Sequence, residues 1–486
     1  DLHSSLEKQN SQLLIVKGNP VNIIPTLLKQ WNVSTFGFEF DSEKYSLERD
    51  KNIEKICKEN NVECIISSGH TLYDLDMLVK KSNLGKGKYM TTYATMTKLI
   101  NKIGKPNQPL SVPDDFLSLP TDENYFKGLD TVTPSESLFD ELQLSEEPEL
   151  PSVYPKSPGY SNSSKNRPSF SESHCYFIGG ETEALSRLSK YTEDEDLVLS
   201  FEKPKTSPNS LIPSTTTLSP YLKFGCISPR TVWHAIQDII DKNSKKEHSS
   251  PPVSLIGQLY WREFFYFASY TIPNFDKMEG NPICKQIDYS YAETSQTKEY
   301  YEAWSNAKTG YPWIDALMTQ LHQHGWIHHL GRHSVACFLT RGDLYVHWEL
   351  GRDVFDKLLL DSDWALNNAN WMWLSASAFY HQYYRVYSPI SFGKKTDKNG
   401  DFIRHFIPIL KDYPAKYIYE PWKAPMDVQK KAGCIIGKDY PNPIVDHDEV
   451  RVKNLDKMKI AYESSSSTGK KRNPPPREGS PERKKA

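Results

Sequence analysis

The hydrophobic pattern of the chain changes its period along the sequence, and this change limits the folds that the chain can adopt. Over the first hundred residues, short apolar runs alternate with amphipathic segments, as strands and helices do in an α/β domain. We predict strands over 11–18, 34–41 and 62–69, with helices over 22–32 and 46–61 between them. Strands that alternate with helices form parallel sheets, so a Rossmann-like α/β domain is expected over 1–105. Because residues 1–10 resemble the end of a helix, we expect this domain to lack its first strand.

After residue 105 the alternation of strand-like and helix-like segments ends, and from residue 179 onward the hydrophobic pattern has mainly helical periodicity. The segment 106–178 is rich in Pro and Ser, and its part over 130–175 predicts a solvated linker with an insertion. Ser-Pro and Thr-Pro pairs leave a phosphorylation-regulated docking segment as the alternative. Residues 179–463 predict a large all-helical domain. Residues 464–486 carry seven Lys and Arg against two Glu and predict a flexible basic tail.

The composition excludes several classes of protein. Lys plus Arg number 59 and Asp plus Glu number 61, giving a net charge of −2, so any contact with DNA needs a local basic patch. No run of 18 apolar residues exists, so no membrane span is predicted. The seven Cys form no CxxC pair, which supports neither a disulfide framework nor a zinc ribbon and indicates a reducing compartment. Eleven Trp, 28 Tyr and 20 Phe suit a large apolar core or a flat, conjugated cofactor.

Two histidines four residues apart are candidate functional residues. On a helix, His329 and His333 share one face. Such a pair can act as an acid and base, or it can bind a metal, or its nitrogens can make structural hydrogen bonds. Metal binding would need a third ligand on the same face, and none is present nearby in the sequence. No metal site is therefore predicted.

The stretch LLLDSDWALNNANWMWLSASAF (358–379) places carboxylates and amides among tryptophans. Asp361 and Asp363 would be costly to bury there unless they are paired, and Arg332 is the expected partner of Asp361. Asn367 and Asn370 add amides that can recognise the edge of a heteroaromatic ring. We interpret the stretch as a cradle for a flat ligand with a polar edge, and an ordinary buried polar network is the alternative.

A cluster of hydroxyl side chains precedes a predicted helix in NSLIPSTTTLSPYLKFGCISPR (209–230). The cluster consists of Ser214, Thr215, Thr216, Thr217 and Ser219. Hydroxyls and backbone N–H groups at the start of a helix can hold phosphate. The same composition is also typical of a simple turn.

Long segments of the chain resemble one family, the photolyase/cryptochrome flavoproteins, in the branch of (6-4) photolyases and animal-type cryptochromes. The segments are GQLYWREFFY (257–266), NFDKMEGNPIC (274–284), TGYPWIDALMTQL (309–321), GWIHHLGRHSVACFLTRGDL (325–344) and the stretch over 358–379. The resemblance runs from about residue 11 to 462, apart from the 130–175 insertion. It implies an N-terminal α/β domain, a long linker and a C-terminal all-helical domain that binds FAD. Whether a second, antenna chromophore binds is left open.

The resemblance implies a set of cofactor-binding residues. The phosphates of FAD would be met by Thr216, Thr217, Leu218 and Ser219, with Lys205 nearby. The rest of FAD would contact Gln258, Arg332, Asp361 and Asp363, and Asn367 would face the flavin N5. His329 and Asn370 complete the expected cofactor set.

The resemblance also implies a substrate pocket and an electron pathway. In (6-4) photolyases the matching histidines stand beside the flavin, so His329 would protonate the lesion with His333 as its partner. The aromatic walls would be Trp261, Trp373 and Tyr387, against which a flipped base could stack. The electron donors would be Trp371 and Trp348, followed by Tyr289, where the family carries a distal Trp, and by Tyr345.

Two hypotheses follow from the resemblance. The first is an enzyme, a light-driven (6-4) photolyase that acts on UV-damaged DNA, and AFYHQYYRVYSP (378–389) and the pocket aromatics favour it. The second is a cryptochrome that transmits blue light to signalling or clock proteins, which Tyr289, the insertion and the basic tail favour. A monomer in the nucleus or the cytoplasm is expected in either case.

Overall fold

The computed structural model describes residues 1–11, 13–111, 127–129, 131–132, 177–211, 213 and 215–467. Apart from Thr131 and Val132, the predicted 130–175 insertion lies outside the described residues, as does most of the predicted basic tail. The strands are β1 (Ile15–Val16), β2 (Thr35–Glu39), β3 (Glu63–Ser67) and β4 (Thr131–Val132). The helices of the N-terminal part are α1 (Leu2–Glu7), α2 (Pro20–Gln30), α3 (Lys44–Glu59), α4 (Leu75–Ser82) and α5 (Tyr93–Ile103).

The remaining helices follow from residue 181 onward. They are α6 (Glu181–Glu193), α7 (Glu195–Ser200), α8 (Ser219–Lys223), α9 (Pro229–Lys242), α10 (Leu255–Thr271), α11 (Ser295–Ser305), α12 (Pro312–His324), α13 (His329–Cys337), α14 (Trp348–Leu358), α15 (Trp364–Leu374), α16 (Ser391–Lys394), α17 (Asp401–Phe406), α18 (Met426–Lys431) and α19 (His447–Ser467). Short 3-10 turns cover Lys203–Lys205, Pro408–Leu410 and Pro421–Lys423, and a π-helical turn covers Phe338–Gly342.

The N-terminal part contains the predicted parallel strand pair. Strands β2 and β3 run parallel with Thr35 opposite Glu63, and α2 and α3 pack against a small core that includes Ile53 and Cys57. The prediction for 11–18 is wrong in its pairing. Only β1 forms there, and it pairs antiparallel with β4 instead of joining the parallel sheet. A short apolar run specifies extended structure but not its partner, which tertiary contacts decide.

The helical part is built around two helices that are apolar on nearly all sides. Ser254 caps the start of α10, because its side chain accepts a hydrogen bond from the Gly257 N–H, and most of the helix is buried. Asp363 caps α15 in the same way through the Leu366 N–H, at 3.1 Å. Helices that are hydrophobic all round lie in the centre of a large domain. They carry the residues on which the site is built.

The π-helical turn between α13 and α14 holds the segment that follows α15. Arg341 in this turn is buried, and its guanidinium donates to the carbonyl oxygens of Leu374, Tyr383 and Arg385 at 2.7 to 2.9 Å. Because a buried guanidinium needs acceptors on several sides, these bonds fix the path of the chain toward Tyr387. Among the described residues no helix combines the length and the apolar character that crossing a membrane requires.

Candidate functional site

A cavity of about 490 Å³ lies in the helical part and gathers most of the predicted site residues. Its lining includes Thr216, Thr217, Leu218, Ser219, Gln258, Trp261, His329, Arg332, His333, Asp361, Asp363, Asn367, Asn370, Trp371 and Trp373. These residues come from segments up to 157 positions apart. Cavities of this size, with apolar walls and few polar groups, are typical of cofactor sites.

The hydroxyl cluster forms one end of the cavity. Thr217 adopts a left-handed conformation with φ of 52°, and its hydroxyl donates to the Thr216 carbonyl at 2.7 Å. The Arg187 guanidinium donates to the same hydroxyl at 2.9 Å, which holds the loop in this strained conformation. Helix α8 begins at Ser219 directly after the loop. Hydroxyls, a nearby guanidinium and a helix start together favour an anion such as phosphate.

Carboxylates and amides form a second part of the wall. The Arg332 guanidinium donates to both carboxylate oxygens of Asp361, at 2.8 and 3.1 Å, which confirms the predicted pair. Burial raises the pKa of Asp363, but the facing His70 and the Arg262 charge outweigh burial and bring this pKa to about 2. The side-chain amides of Asn367 and Asn370 donate to backbone carbonyls, at 3.1 and 2.8 Å. Their positions in the wall are fixed by these bonds.

The histidine pair stands in the same cavity. Both residues belong to α13, and their ring centroids are 6.1 Å apart. Burial and the nearby Lys203 charge lower the pKa of His333 to about 3 and drive the pKa of His329 further down. The protein alone therefore keeps both imidazoles neutral at pH 7. An anionic group bound in the cavity would raise their proton affinity.

Aromatic rings line the same cavity as the histidines. Trp261 and Trp373 meet edge to face at 5.4 Å, and Tyr93 from α5 stacks on Trp261 at 4.2 Å. Tyr387 lies beside the cavity, with its hydroxyl 3.0 Å from His333 Nδ1. A flat group that enters the cavity would meet both aromatic rings and imidazole nitrogens in its lining.

The structure does not bring Lys205 to the cavity, contrary to the prediction. Its side chain is exposed and forms an ion pair with Glu202 at 2.7 Å. Lys203 lines the cavity instead, because residues two apart in a 3-10 turn point in different directions. Burial and the Arg332 charge lower the pKa of Lys203 to about 8. Sequence reasoning missed Lys203, although both lysines stand in the same KPK turn.

The other predicted electron donors lie away from the cavity lining. Trp348 is fully buried at the start of α14, and its ring packs beside His347 at 5.8 Å. Tyr289 lies 6.2 Å from His347 and 4.8 Å from Tyr345. Both tyrosines are largely buried, with exposed fractions of 4% and 6%. Trp371 lies in the cavity wall, and we call Trp371, Trp348, Tyr289 and Tyr345 the aromatic series. Ring contacts through His347 link the last three, and the step from Trp348 to Trp371 stays a prediction.

Similarity to known proteins identifies the family. A sequence family described as the FAD binding domain of DNA photolyase matches residues 255–460, and one described as DNA photolyase matches residues 1–114. A (6-4)DNA photolyase of Oryza sativa subsp. japonica is 47% identical over 452 residues, which cover 92% of this chain and 75% of that protein. The Cryptochrome-1 of Rattus norvegicus is 44% identical over 474 residues, which cover 96% and 74%. The chain belongs to the photolyase/cryptochrome family.

A solved structure agrees with this assignment. The bacterial class III photolyase from Agrobacterium tumefaciens has a TM-score of 0.72 and 28% sequence identity, covering 95% of this chain and 86% of that one. The matched FAD-binding domain contains about two thirds of the residues that line the cavity, and the protein binds FAD.

FAD fits the residues that line the cavity. Two buried polar atoms there, His328 Nε2 and Arg262 Nη2, make no hydrogen bond to any described residue, so each is available to an atom of a bound molecule. Thr216 to Ser219 would hold the phosphates, and Asn367 and Asn370 present amides to a heteroaromatic ring. The contacts of individual residues with FAD stay predictions. Among the described residues no three His, Cys, Asp or Glu side chains are grouped to hold a metal ion.

Proposed function

We propose that this protein is a (6-4) photolyase that repairs UV-damaged DNA. The observation that carries the proposal is that the FAD cavity also holds two imidazoles with aromatic rings beside them. A flavin needs apolar walls, amides and phosphate ligands, but it does not need a neutral histidine pair in the same cavity as Trp261 and Trp373. These groups suit a second flat, polar molecule such as an extruded base. The 47% identity to a (6-4)DNA photolyase supports the same substrate.

Each group of the pocket has a role in this reaction. When bound and reduced, FAD supplies an electron to the lesion after absorbing light. Trp261 and Trp373 stack on the flipped bases and exclude water, while His329 holds the proton that the lesion takes up. The Tyr387 hydroxyl fixes the orientation of His333 through Nδ1. Nε2 of His333 is then left to share the proton with His329. The anionic cofactor and the DNA phosphates raise the proton affinity of His329, which the protein alone keeps low.

A cryptochrome-type photoreceptor is the second candidate, and one contact favours it. The C-terminal helix α19 touches both tyrosines of the aromatic series. Lys457 Nζ lies 4.3 Å from the centroid of the Tyr345 ring, and the Tyr289 hydroxyl is 3.3 Å from the Met458 sulfur. A change in charge on either ring would therefore act on α19, the last helix of the described residues. A photolyase needs no such contact for repair.

Repair of a defined lesion decides between the two functions. The flavin-reduced full-length protein is given an oligonucleotide with a (6-4) thymine dimer under blue light, and a cyclobutane dimer serves as the control. We expect repair of the (6-4) lesion alone, and His329→Ala should lower the repair rate by about 10²-fold or more while FAD remains bound. An absence of repair by protein that is saturated with FAD would refute the photolyase proposal and leave the photoreceptor.

A further inference from the structure

A loop of the N-terminal α/β part reaches the helical part beside the flavin cavity. This loop comprises residues 68–73, directly after β3, and we call it the 68–73 loop. The carboxylate of Glu263 on α10 accepts hydrogen bonds from the Leu72 and Tyr73 N–H groups, each at 2.9 Å. Arg230 on α9 donates to the Ser68 and Leu72 carbonyl oxygens, at 2.5 and 3.1 Å. These four bonds join four backbone groups of the loop to side chains of the helical part. A bond from Arg262 to the His70 carbonyl adds a fifth.

That fifth bond leads toward the cavity. The Arg262 guanidinium donates to the His70 carbonyl at 2.5 Å, and it lies over the ring of Tyr266 at 4.6 Å. The same guanidinium lines the cavity and approaches Asp363 to 4.0 Å. A single residue of α10 therefore touches the loop on one side and the cavity carboxylate on the other.

The His70 side chain reaches the cavity carboxylate itself. His70 Nε2 lies 3.6 Å from Asp363 Oδ2, and the Tyr266 hydroxyl donates to the same oxygen. The His70 ring packs against the edge of Tyr266 at 5.3 Å. Asp363 is 5% exposed and caps α15, so its position sets both the cavity wall and the start of the helix that carries Asn367. Three side chains converge on this carboxylate, and His70 is the one that comes from the α/β part.

We propose that His70 is a positioning residue of the flavin site, through which docking of the 68–73 loop and binding of FAD stabilise each other. His70 holds Asp363 in the orientation in which it faces the cavity, and the loop holds His70. Linkage is reciprocal, so bound FAD must strengthen loop docking by the same factor by which docking strengthens FAD binding. The inference rests on FAD occupying the cavity and is independent of whether the protein repairs DNA or signals.

FAD titration of the full-length apoprotein tests the role of His70, with quenching of flavin fluorescence as the readout. Replacing a partner of a charged group costs roughly 10-fold or more in affinity, so His70→Ala should weaken FAD binding about tenfold. His70→Gln keeps a side-chain N–H donor and should recover part of this loss. Arg230→Met is the matched control, because Arg230 donates hydrogen bonds to the same loop but lines no part of the cavity. The bonds from Glu263 and Arg262 keep the loop docked in this variant. We therefore expect Arg230→Met to change FAD affinity less than about threefold while lowering the free energy of unfolding.

Two further measurements separate positioning from general loosening. In an Asp363→Asn background, His70→Ala should have little additional effect on FAD affinity, because the charged partner is already gone. Hydrogen exchange at the Leu72 and Tyr73 amides of the wild-type chain should slow when FAD binds. Equal losses of FAD affinity in His70→Ala and Arg230→Met would overturn the proposal, as would exchange at these amides that does not respond to FAD. Both tests remain decisive if the Asp363→Asn variant does not fold.

Discussion

The Lys203 ammonium faces the same cavity as His329 and His333, and its charge disfavours a proton on either imidazole. Burial is the larger cause of their low pKa values, and Lys203 is the next. Replacing Lys203 by Met removes the charge but keeps a long apolar side chain. The pKa of each histidine should then rise, so a larger fraction is protonated at a given pH.

This change predicts a shift in the pH dependence of repair. If a protonated His329 is required, the rate of repair falls as pH rises through its pKa in the loaded enzyme. In Lys203→Met this fall should occur at higher pH than in the wild type, by about one pH unit for a loss of roughly 1.4 kcal/mol of repulsion. Repair rates from pH 6 to 10 measure the shift, and Lys205→Met, an exposed neighbour, is the control. A shift to lower pH would show that Lys203 itself supplies the proton.

At the scale of single residues, the sequence specified most of the cavity wall but not all of it. Thr216, Arg332 and Asp361 lie in segments whose composition already indicates buried polar contacts, and the structure brings them together. Lys203 could not be chosen over Lys205 because the direction of a side chain in a short turn depends on the backbone path. His70 was missed for a different reason. Its partner Asp363 lies 293 positions away, and no local pattern marks such a pair.

Helices α14 and α15 approach each other closely at Gly351, and this packing can be tested as an element. A Cβ at this position would overlap the ring of Trp371 and come within 2.6 Å of the Leu339 Cδ2 atom. Gly351→Ala should therefore lower the free energy of unfolding by about 1–3 kcal/mol, as overpacking of a core does. Urea unfolding of the full chain measures the loss. Gly179→Ala is the control, since a Cβ there meets no atom within 4 Å and should change stability by less than about 0.5 kcal/mol.

The type of each element was easier to predict than its partner. Helix α3 and strands β2 and β3 lie within two residues of their predicted ends, because their hydrophobic periodicity is regular. The run over 11–18 has equally apolar residues, yet only β1 forms and its partner is β4. Pairing of strands is a long-range choice that depends on the packing of helices around them. Residue patterns within one segment do not contain this information.

At the scale of the whole molecule, the junction of the α/β and helical parts contains an ionisable group. Burial raises the pKa of Glu263 from 4.5 to about 7, which the hydrogen bonds from Leu72 and Tyr73 only partly oppose. A carboxyl whose pKa is higher in the folded state favours folding when it is protonated. The contribution of Glu263 to the free energy of unfolding is full below pH 4.5 and is lost as the pH rises through 7. It amounts to something on the order of 3 kcal/mol.

Replacing Glu263 by Gln should remove this part of the pH dependence. Gln resembles the protonated acid, so the variant should lose less free energy of unfolding than the wild type between pH 5 and pH 8. Urea unfolding at the two pH values gives the difference, and Glu299→Gln, an exposed carboxylate on α11, should follow the wild type. Parallel losses in Glu263→Gln and wild type would show that Glu263 is ionised at the junction throughout this range.

The aromatic series Trp371, Trp348, Tyr289 and Tyr345 predicts how electrons reach the bound flavin. Trp348 is the central member, buried in α14 and outside the cavity lining. Trp348→Phe should slow light-driven reduction of the bound flavin several-fold, because Phe is much harder to oxidise than Trp. Repair by protein reduced with dithionite should be unchanged, since Trp348 contacts neither the histidine pair nor the cavity.

A control variant distinguishes the pathway from packing. Trp304 is equally buried and lies 6.1 Å from Trp371, but it is not in contact with Trp348 or the tyrosines among the ring pairs described. Trp304→Phe should therefore leave the rate of flavin photoreduction near that of the wild type. If both variants slow it equally, the cause is a general loosening of the core around Trp371. If neither does, electrons reach the cavity by a route that avoids Trp348, and Tyr289 and Tyr345 are not donors in this protein.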